Sequence, residues 1–502
     1  MDLLALSHLC RPSRIVLNLL LLLPALSVCG EPAEVPLEIG SNNQVFIDGR
    51  FLAASENVRI VTCAPVKTNE VNLKGKLGGY STLVKPSMEY LWYSALSKDG
   101  IHWRRTSGFG PPEEDDMLGI LFGGATVFED PNAPPAERFK RLDGLKNSMS
   151  TSPNGKDWTV LREGIFPAEA AYPHGMDSHN VCYFDEGLGK YVAYVRVNKV
   201  FTCPPERVPY FRTIGTQRYG GENKYSRRAI GRSVSEDPAS FPMPEVVLAP
   251  DDRDPTFGGV KVMDFYCPQV VPYPGAQDAY FLFNTRYRSY EDWYLAEDMS
   301  AYTPTTVGVY NVGSEDIALA ASRDGVAWER YERRPWIRNG LAGSNDALGM
   351  YMTRGMHLQG DEIWMYYIGI NDPHTGDPAV QDQYVLSRVV LRKDGFTCVE
   401  APYDGGEFTT PAMRFEGDAL YLNIDTSGVG LSRVEIQDAT GVPIPGFALE
   451  DCDRIHATNR TKFRVSWGGQ SDLKALADKA IRLRFELQFG TRLYAFRFGP
   501  TS

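Results

Sequence analysis

Short apolar runs, broken by clusters of Gly, Asp, Asn and Ser, alternate along nearly the whole chain. Tyr90-Leu91-Trp92-Tyr93, Tyr191-Val192-Ala193-Tyr194-Val195 and Tyr280-Phe281-Leu282-Phe283 are typical. They are rich in the aromatic and β-branched residues that fit a pleated, half-buried surface. The pattern predicts an all-β chain, with only 473–480 expected to be helical.

The interruptions repeat. Ser322-Arg323-Asp324-Gly325-Val326-Ala327-Trp328 reads as a hairpin turn, because Asp-Gly supplies the positive φ that a tight turn needs. The same phrase recurs at 97–103 and 152–158, with weaker copies at 233–237 and 392–396. An internal repeat of β-hairpins points to a propeller. Five turns predict a five-bladed β-propeller over residues 31–404, its second blade spanning about 118–162. The segment around Gln44-Val45-Phe46-Ile47 is expected to close the ring by pairing with the last blade. Beyond Asp404-Gly405-Gly406 these turns stop, but strand-like alternation continues in Ala419-Leu420-Tyr421-Leu422 and Ile481-Arg482-Leu483-Arg484. That change of texture predicts a C-terminal β-sandwich domain over 405–502.

Length and composition add limits. The chain has 502 residues, 43% of them hydrophobic, and a net charge of −11. No dense run of Lys and Arg follows the N-terminus, which argues against a nucleic-acid partner. Arg11 and Arg14 precede an apolar run and then Ala25-Leu26-Ser27, so residues 1–30 read as a signal peptide. The mature protein is expected to be secreted or periplasmic, with no membrane association after cleavage. Its cysteines show no C-x-x-C spacing, so no metal or cofactor is expected, although a structural ion is left open. Buried free thiols are the simpler reading, with Cys182–Cys203 the first pair to consider for a disulfide. Oligomeric state leaves no trace in the sequence.

Candidate chemistry comes from position in the repeat. Asp177 lies 59 residues before the turn at Glu236, and Asp264 lies 60 before the turn at Asp324. Asp346 lies 48 before Asp394. Each stands just before the first strand of a blade, so all three are expected at the mouth of the central channel. Cleavage of a glycosidic bond needs such a set: one acid to protonate the leaving oxygen, and one to attack or to activate water. A third can tune the proton donor. Equally, an Asp before a strand can be a turn or cap residue. His174, His179 and Asn180 flank Asp177; Arg286 and Arg354 follow strands and could clamp a polyhydroxylated or anionic substrate. His179, Asn180, Arg286 and Arg354 are thus the substrate-binding candidates. Asp130-Pro131-Asn132 and Arg253-Asp254-Pro255 look like motif fragments stranded in loops.

These pieces resemble glycoside hydrolase families 32 and 43, and in particular exported bacterial proteins of the family-32 N-terminal-like group. The resemblance is carried by Asp177-Ser178-His179-Asn180-Val181, Asp264-Phe265-Tyr266, the turn at 322–328, and Arg482-Leu483-Arg484-Phe485. It spans nearly the whole mature chain and is architectural. The W-x-N-D-P-N-G opening is absent, and Tyr266 stands where the E-C-P acid motif has Glu, so fructan specificity does not transfer. What it implies is a secreted glycosidase acting on poly- or oligosaccharide through axial carboxylates. The alternative is a non-catalytic glycan-binding propeller.

Overall fold

The computed structural model describes residues 35–85, 93–171, 176–202, 205, 224–257, 260–289, 313–374 and 383–500. Residues 1–34, expected to hold the export signal, and His174 and Cys203 lie outside them. The described residues form strands and 3-10 turns, with no α-helix. The segment 473–480 is a correction. It holds one 3-10 turn, Lys474–Leu476, after which Ala477 is extended and Asp478 takes φ 64°. So short a run cannot repay the cost of helix nucleation.

Sheets follow one another in chain order. The first contains Ser81–Val84, Tyr93–Ser97, Trp103–Gly110 and Leu118–Phe122. Leu118–Phe122, expected to open the second blade, instead pairs with both Ser81–Val84 and Tyr93–Ser97. The second is an antiparallel meander of Thr126–Glu129, Phe139–Asp143, Ser148–Ser152 and Thr159–Glu163. The third orders Val181–Asp185, Lys190–Thr202, Lys224–Ser235 and Glu245–Leu248. The fourth orders Asp264–Pro272, Tyr280–Ser289 and Gly313–Ser322. The fifth is built on Gly349–Met352, Glu362–Ile370 and Tyr384–Arg392. Val66–Lys67 and Leu73–Gly75, from the start of the chain, complete it.

Each sheet buries apolar side chains against the next, as a two-faced sheet must. Tyr93 and Leu121 meet Val127 and Phe139. Leu142 and Met149 meet Cys182 and Val195, and Val192 and Ile230 meet Phe265 and Leu282. Phe281 and Leu319 meet Met365 and Val389. Trp103 and Ile120 then meet Tyr366 and Leu386, so the fifth sheet packs on the first. The arrangement is propeller-like.

The repeated turn has a physical role in this packing. In each strong copy the Ser hydroxyl accepts from the Gly N–H at 2.9 Å. The Asp or Asn Oδ1 accepts from the backbone N–H groups two and three residues further on. The Gly φ values are 72°, 74° and 69°. That closed turn presents a carbonyl to a neighbouring sheet: Tyr366 donates to the Gly100 carbonyl at 2.7 Å and Tyr194 to the Gly325 carbonyl at 2.8 Å. The weak copy at 392–396 differs, with Asp394 rather than Gly395 at positive φ and its carboxylate bonded by Tyr273.

Two further sheets share one core, with Phe408, Val434, Ile436 and Phe485 facing Leu420, Leu422, Phe496 and Phe498. The leading segment joins these rather than the ring. Leu37–Gly40 pairs with Met413–Phe415, Ala54–Glu56 with Gly406–Thr409, and Arg59–Thr62 with Thr397–Glu400. The strap that reaches the last sheet of the ring is therefore 66–75, not the stretch around Gln44. Pro36–Ser502 forms one compact unit.

Cys182 is free and buried, so the first-choice disulfide is not formed. The thiols that do meet are Cys63, just past the strand Arg59–Thr62, and Cys398 on the strand paired with it, 3.5 Å apart. Mild oxidation is expected to join them, a movement of roughly 1.5 Å to bonding distance. Alkylation mass spectrometry should then find this pair protected while Cys182, Cys267 and Cys452 remain free. The turn contact makes a second prediction. A Cβ on Gly325 would lie 2.3 Å from the Tyr194 hydroxyl, whereas Gly360, also at positive φ (61°), has nothing within 4 Å. Gly325→Ala should lower stability by about 1–3 kcal/mol more than Gly360→Ala, read from urea midpoints.

Candidate functional site

The heads of the first strands converge on one polar cluster. Tyr80, just before the first sheet, and Tyr266, on the fourth, share a 2.7 Å hydroxyl contact. Both hydroxyls reach the Asp177 carbonyl, at 3.3 and 3.2 Å. Burial raises the pKa of both tyrosines, so they act as neutral hydrogen-bonding groups. The Asp177 carboxylate pairs with Arg196, a buried residue of the third sheet. Burial is the main cause that lowers the Arg196 pKa to about 10, with the neighbouring Arg228 adding to it.

Arg228, the neighbour of Arg196, pairs with Asp264. Its guanidinium bonds the Asp264 carboxylate at 2.7 Å, and its backbone N–H donates to the same group at 3.0 Å. It also lies over the rings of Tyr266 (4.7 Å) and Tyr287 (5.0 Å). Burial works against the charge, but Asp264 and the two tyrosines outweigh it and raise the Arg228 pKa. Tyr266, on the strand that Asp264 opens, reaches the Asp177 main chain, so the two segments meet there. Asp177 is the more open, its side chain 40% exposed, while Asp264 is 7% exposed.

Asp177 borders a cleft of about 630 Å³. Tyr80, Phe122, Arg141, Trp158 and Met176 contribute to its wall. Arg141 stacks over Trp158 at 4.6 Å, the Trp of the second repeated turn. An aromatic wall beside a carboxylate can hold a sugar ring by its apolar face while contacting its hydroxyls.

Asp346 does not join this cluster, and its placement there is corrected. Its carboxylate is taken by Lys67 (2.6 Å), Tyr367 (2.8 Å) and Ser344 (2.9 Å). Burial alone would raise its pKa, but these partners lower it. Its offset from the repeat turn, out of step with the other two, was the sign.

Three of the substrate-binding assignments are also corrected. Arg286, 1% exposed, bonds Asp316 at 2.7 Å and the Arg333 carbonyl at 2.5 Å. A buried ion pair of this kind holds two strands together and offers nothing to a ligand. Asn180, also 1% exposed, bonds the Met176 carbonyl and receives the Arg196 N–H, fixing the loop that carries Asp177. His179 is fully buried, with Nδ1 at 2.7 Å from the Gln269 amide, and its ring stacks on Tyr80. Arg354, half-buried, lies over Tyr183 at 5.6 Å, and burial lowers its pKa. Asp130 and Asp254, the loop decoys, are held by Tyr191 and by Arg330 respectively.

Sequence reasoning missed Glu315, His374, Tyr351 and the two arginines. Glu315 is 1% exposed and bonds the Tyr351 hydroxyl at 2.8 Å and His374 Nδ1 at 2.6 Å. The one available signal was the acidic pair Glu315-Asp316 at the head of an apolar strand. Among the described residues no group of three or more His, Cys, Asp or Glu side chains is arranged to hold a metal ion.

No family model and no curated protein matches the chain. Similar solved structures include a glycosyl hydrolase from Bacteroides ovatus (12% identity, 70% of this chain and 93% of that one, TM-score 0.35). Another is an N-acetylgalactosamine deacetylase from F. plautii in complex with blood group B trisaccharide (12%, 72% and 96%, TM-score 0.34). A third is a family 43 arabinoxylan arabinofuranohydrolase from Bacillus subtilis in complex with cellotetraose (9%, 82% and 96%, TM-score 0.21). At these TM-scores the likenesses carry no argument.

His179 yields a prediction. Burial, helped by Arg354, lowers its pKa from 6.5 to about 3. Between these values the unfolded chain binds a proton that the folded one does not, so stability falls as pH drops below 6.5. His179→Gln should remove about 2 kcal/mol of the stability lost between pH 6.5 and 5, measured by urea unfolding at each pH.

Proposed function

We propose that the protein is a secreted glycoside hydrolase acting on poly- or oligosaccharide, with Asp177 as the base or nucleophile. The observation that carries this is one carboxylate, half-exposed, set between an aromatic cleft and a shared polar cluster. Arg196 holds that carboxylate in place, and Tyr80 and Tyr266 hold its main chain. Asp264, saturated by Arg228, keeps Arg228 and Tyr266 in position rather than reacting. The resemblance to families 32 and 43 supports the same reading. In it the ring of sheets is a five-bladed propeller, and the remaining two sheets are a sandwich that takes in 37–62 as well as the C-terminal strands. Residues 1–30 serve as the export signal.

A glycan-binding protein without turnover is the second reading. It is favoured by the pairing of Asp264 with Arg228 and of Glu315 with His374, which takes two of the cluster's acids away from a ligand. A polysaccharide panel with reducing-end detection separates the two. Under the first reading the wild type releases reducing ends, and Asp177→Asn loses at least about a thousandfold in kcat with folding intact. Under the second, the wild type binds a glycan and releases none.

A further inference from the structure

We propose that His374, oriented by Glu315 and Tyr351, is the catalytic residue that protonates the leaving oxygen. This rests on the hydrolase reading above and supplies the proton donor that reading lacks. Asp177 must be ionised to act as base or nucleophile. Asp264 accepts two hydrogen bonds from Arg228, one on each carboxylate oxygen. The tyrosines of the cluster are held neutral by burial. His374 brings an imidazole to the cluster, a ring whose nitrogens can each carry or release hydrogen.

The geometry around His374 is that of an oriented imidazole. Nδ1 lies 2.6 Å from a Glu315 carboxylate oxygen and 2.9 Å from the Tyr351 hydroxyl, which itself donates to Glu315 at 2.8 Å. Tyr351 gives its single hydroxyl hydrogen to Glu315, so its contact with Nδ1 calls for hydrogen on Nδ1, and Nε2 is the working atom. The backbone is fixed too: His374 N–H donates to the Gly313 carbonyl at 2.8 Å. The ring packs edge-on against Tyr266 (5.7 Å) and at a tilt to Tyr287 (5.0 Å). Tyr266 is also the ring whose hydroxyl bonds the Asp177 carbonyl, so one tyrosine contacts both His374 and the Asp177 main chain. The His374 side chain keeps 13% exposure, and among the described residues none hydrogen-bonds Nε2. Charged groups facing this part of the cluster include Glu315, Asp372 two residues before the histidine, and, across Tyr266 and Tyr287, Arg228 with Asp264.

In the step proposed, the glycosidic C–O bond breaks and its electron pair goes to the leaving oxygen, which takes the proton from Nε2. Water or Asp177 forms the new bond to the sugar carbon. In either case the water consumed gives its hydroxyl to the sugar, and its second proton returns the imidazole to the charged form through Asp177 or solvent.

The test uses leaving groups that differ in their need for a proton. The full-length protein is assayed on a panel of 2,4-dinitrophenyl glycosides, which need none, and on the matching methyl glycosides, which do. His374→Gln is expected to lose roughly 10²–10⁴-fold on methyl glycosides and less than tenfold on dinitrophenyl ones. Asp177→Asn should lose both alike. Tyr351→Phe, which removes only a hydroxyl, should show a smaller loss confined to methyl glycosides, and it serves where His374→Gln fails to fold. Equal losses on both substrates, or none, in folded variants overturn the assignment while the hydrolase reading stands. A wild type that cleaves no member of either set removes that reading and this assignment with it.

Discussion

Two main-chain hydrogen bonds hold the first sheet to the last. Arg354 N–H donates to the Ser81 carbonyl at 2.9 Å, and Leu83 N–H to the Arg354 carbonyl at 2.7 Å. Between them the hydroxyls of Ser81 and Thr353 meet at 2.8 Å, both fully buried. A buried strand edge left unpaired here would expose polar backbone to an apolar core, so closure also satisfies these groups. Tyr80 and Tyr351 stand beside this seam, their rings 5.7 Å apart. Without it the Asp177 loop would lose Tyr80, and Glu315 would have its Tyr351 partner displaced from the cluster.

The electrostatics of the cluster follow from that closure. Arg196 and Arg228 come from neighbouring strands of the third sheet, and their acids from the entry loop of that sheet and the first strand of the fourth. Buried guanidinium groups need partners, and tyrosine faces supply what the carboxylates do not. All of these carboxylates have partners, but Asp177 keeps its side chain 40% exposed where the others keep 10% or less. That asymmetry, rather than a count of acids, separates Asp177 from Asp264, Glu315 and Asp346.

The repeated turn was legible because its chemistry is local. A Ser hydroxyl, an Asp or Asn carboxyl or amide oxygen, and a Gly at positive φ close the loop with bonds spanning two or three residues. Any chain segment with those residues can make them. Leu118–Phe122 could not be assigned in the same way, because its apolar pattern fits either neighbouring sheet. Packing against Tyr93 and Leu96 decided the matter. The buried roles of Arg286 and Asn180 were equally hidden, since a polar residue after a strand looks the same whether its partner is a ligand or a carboxylate 30 residues away.

By itself, the sequence determined the all-β texture, the turn units and the matched stations of Asp177 and Asp264, because these depend on period and on bonds between near neighbours. Only the tertiary structure decided that residues 37–62 leave the ring for the C-terminal sheets. It alone placed Asp346 with Lys67, and set Glu315 and His374 within 2.6 Å of each other. Those outcomes turn on which surfaces bury one another across tens to hundreds of residues, a competition that no local pattern records.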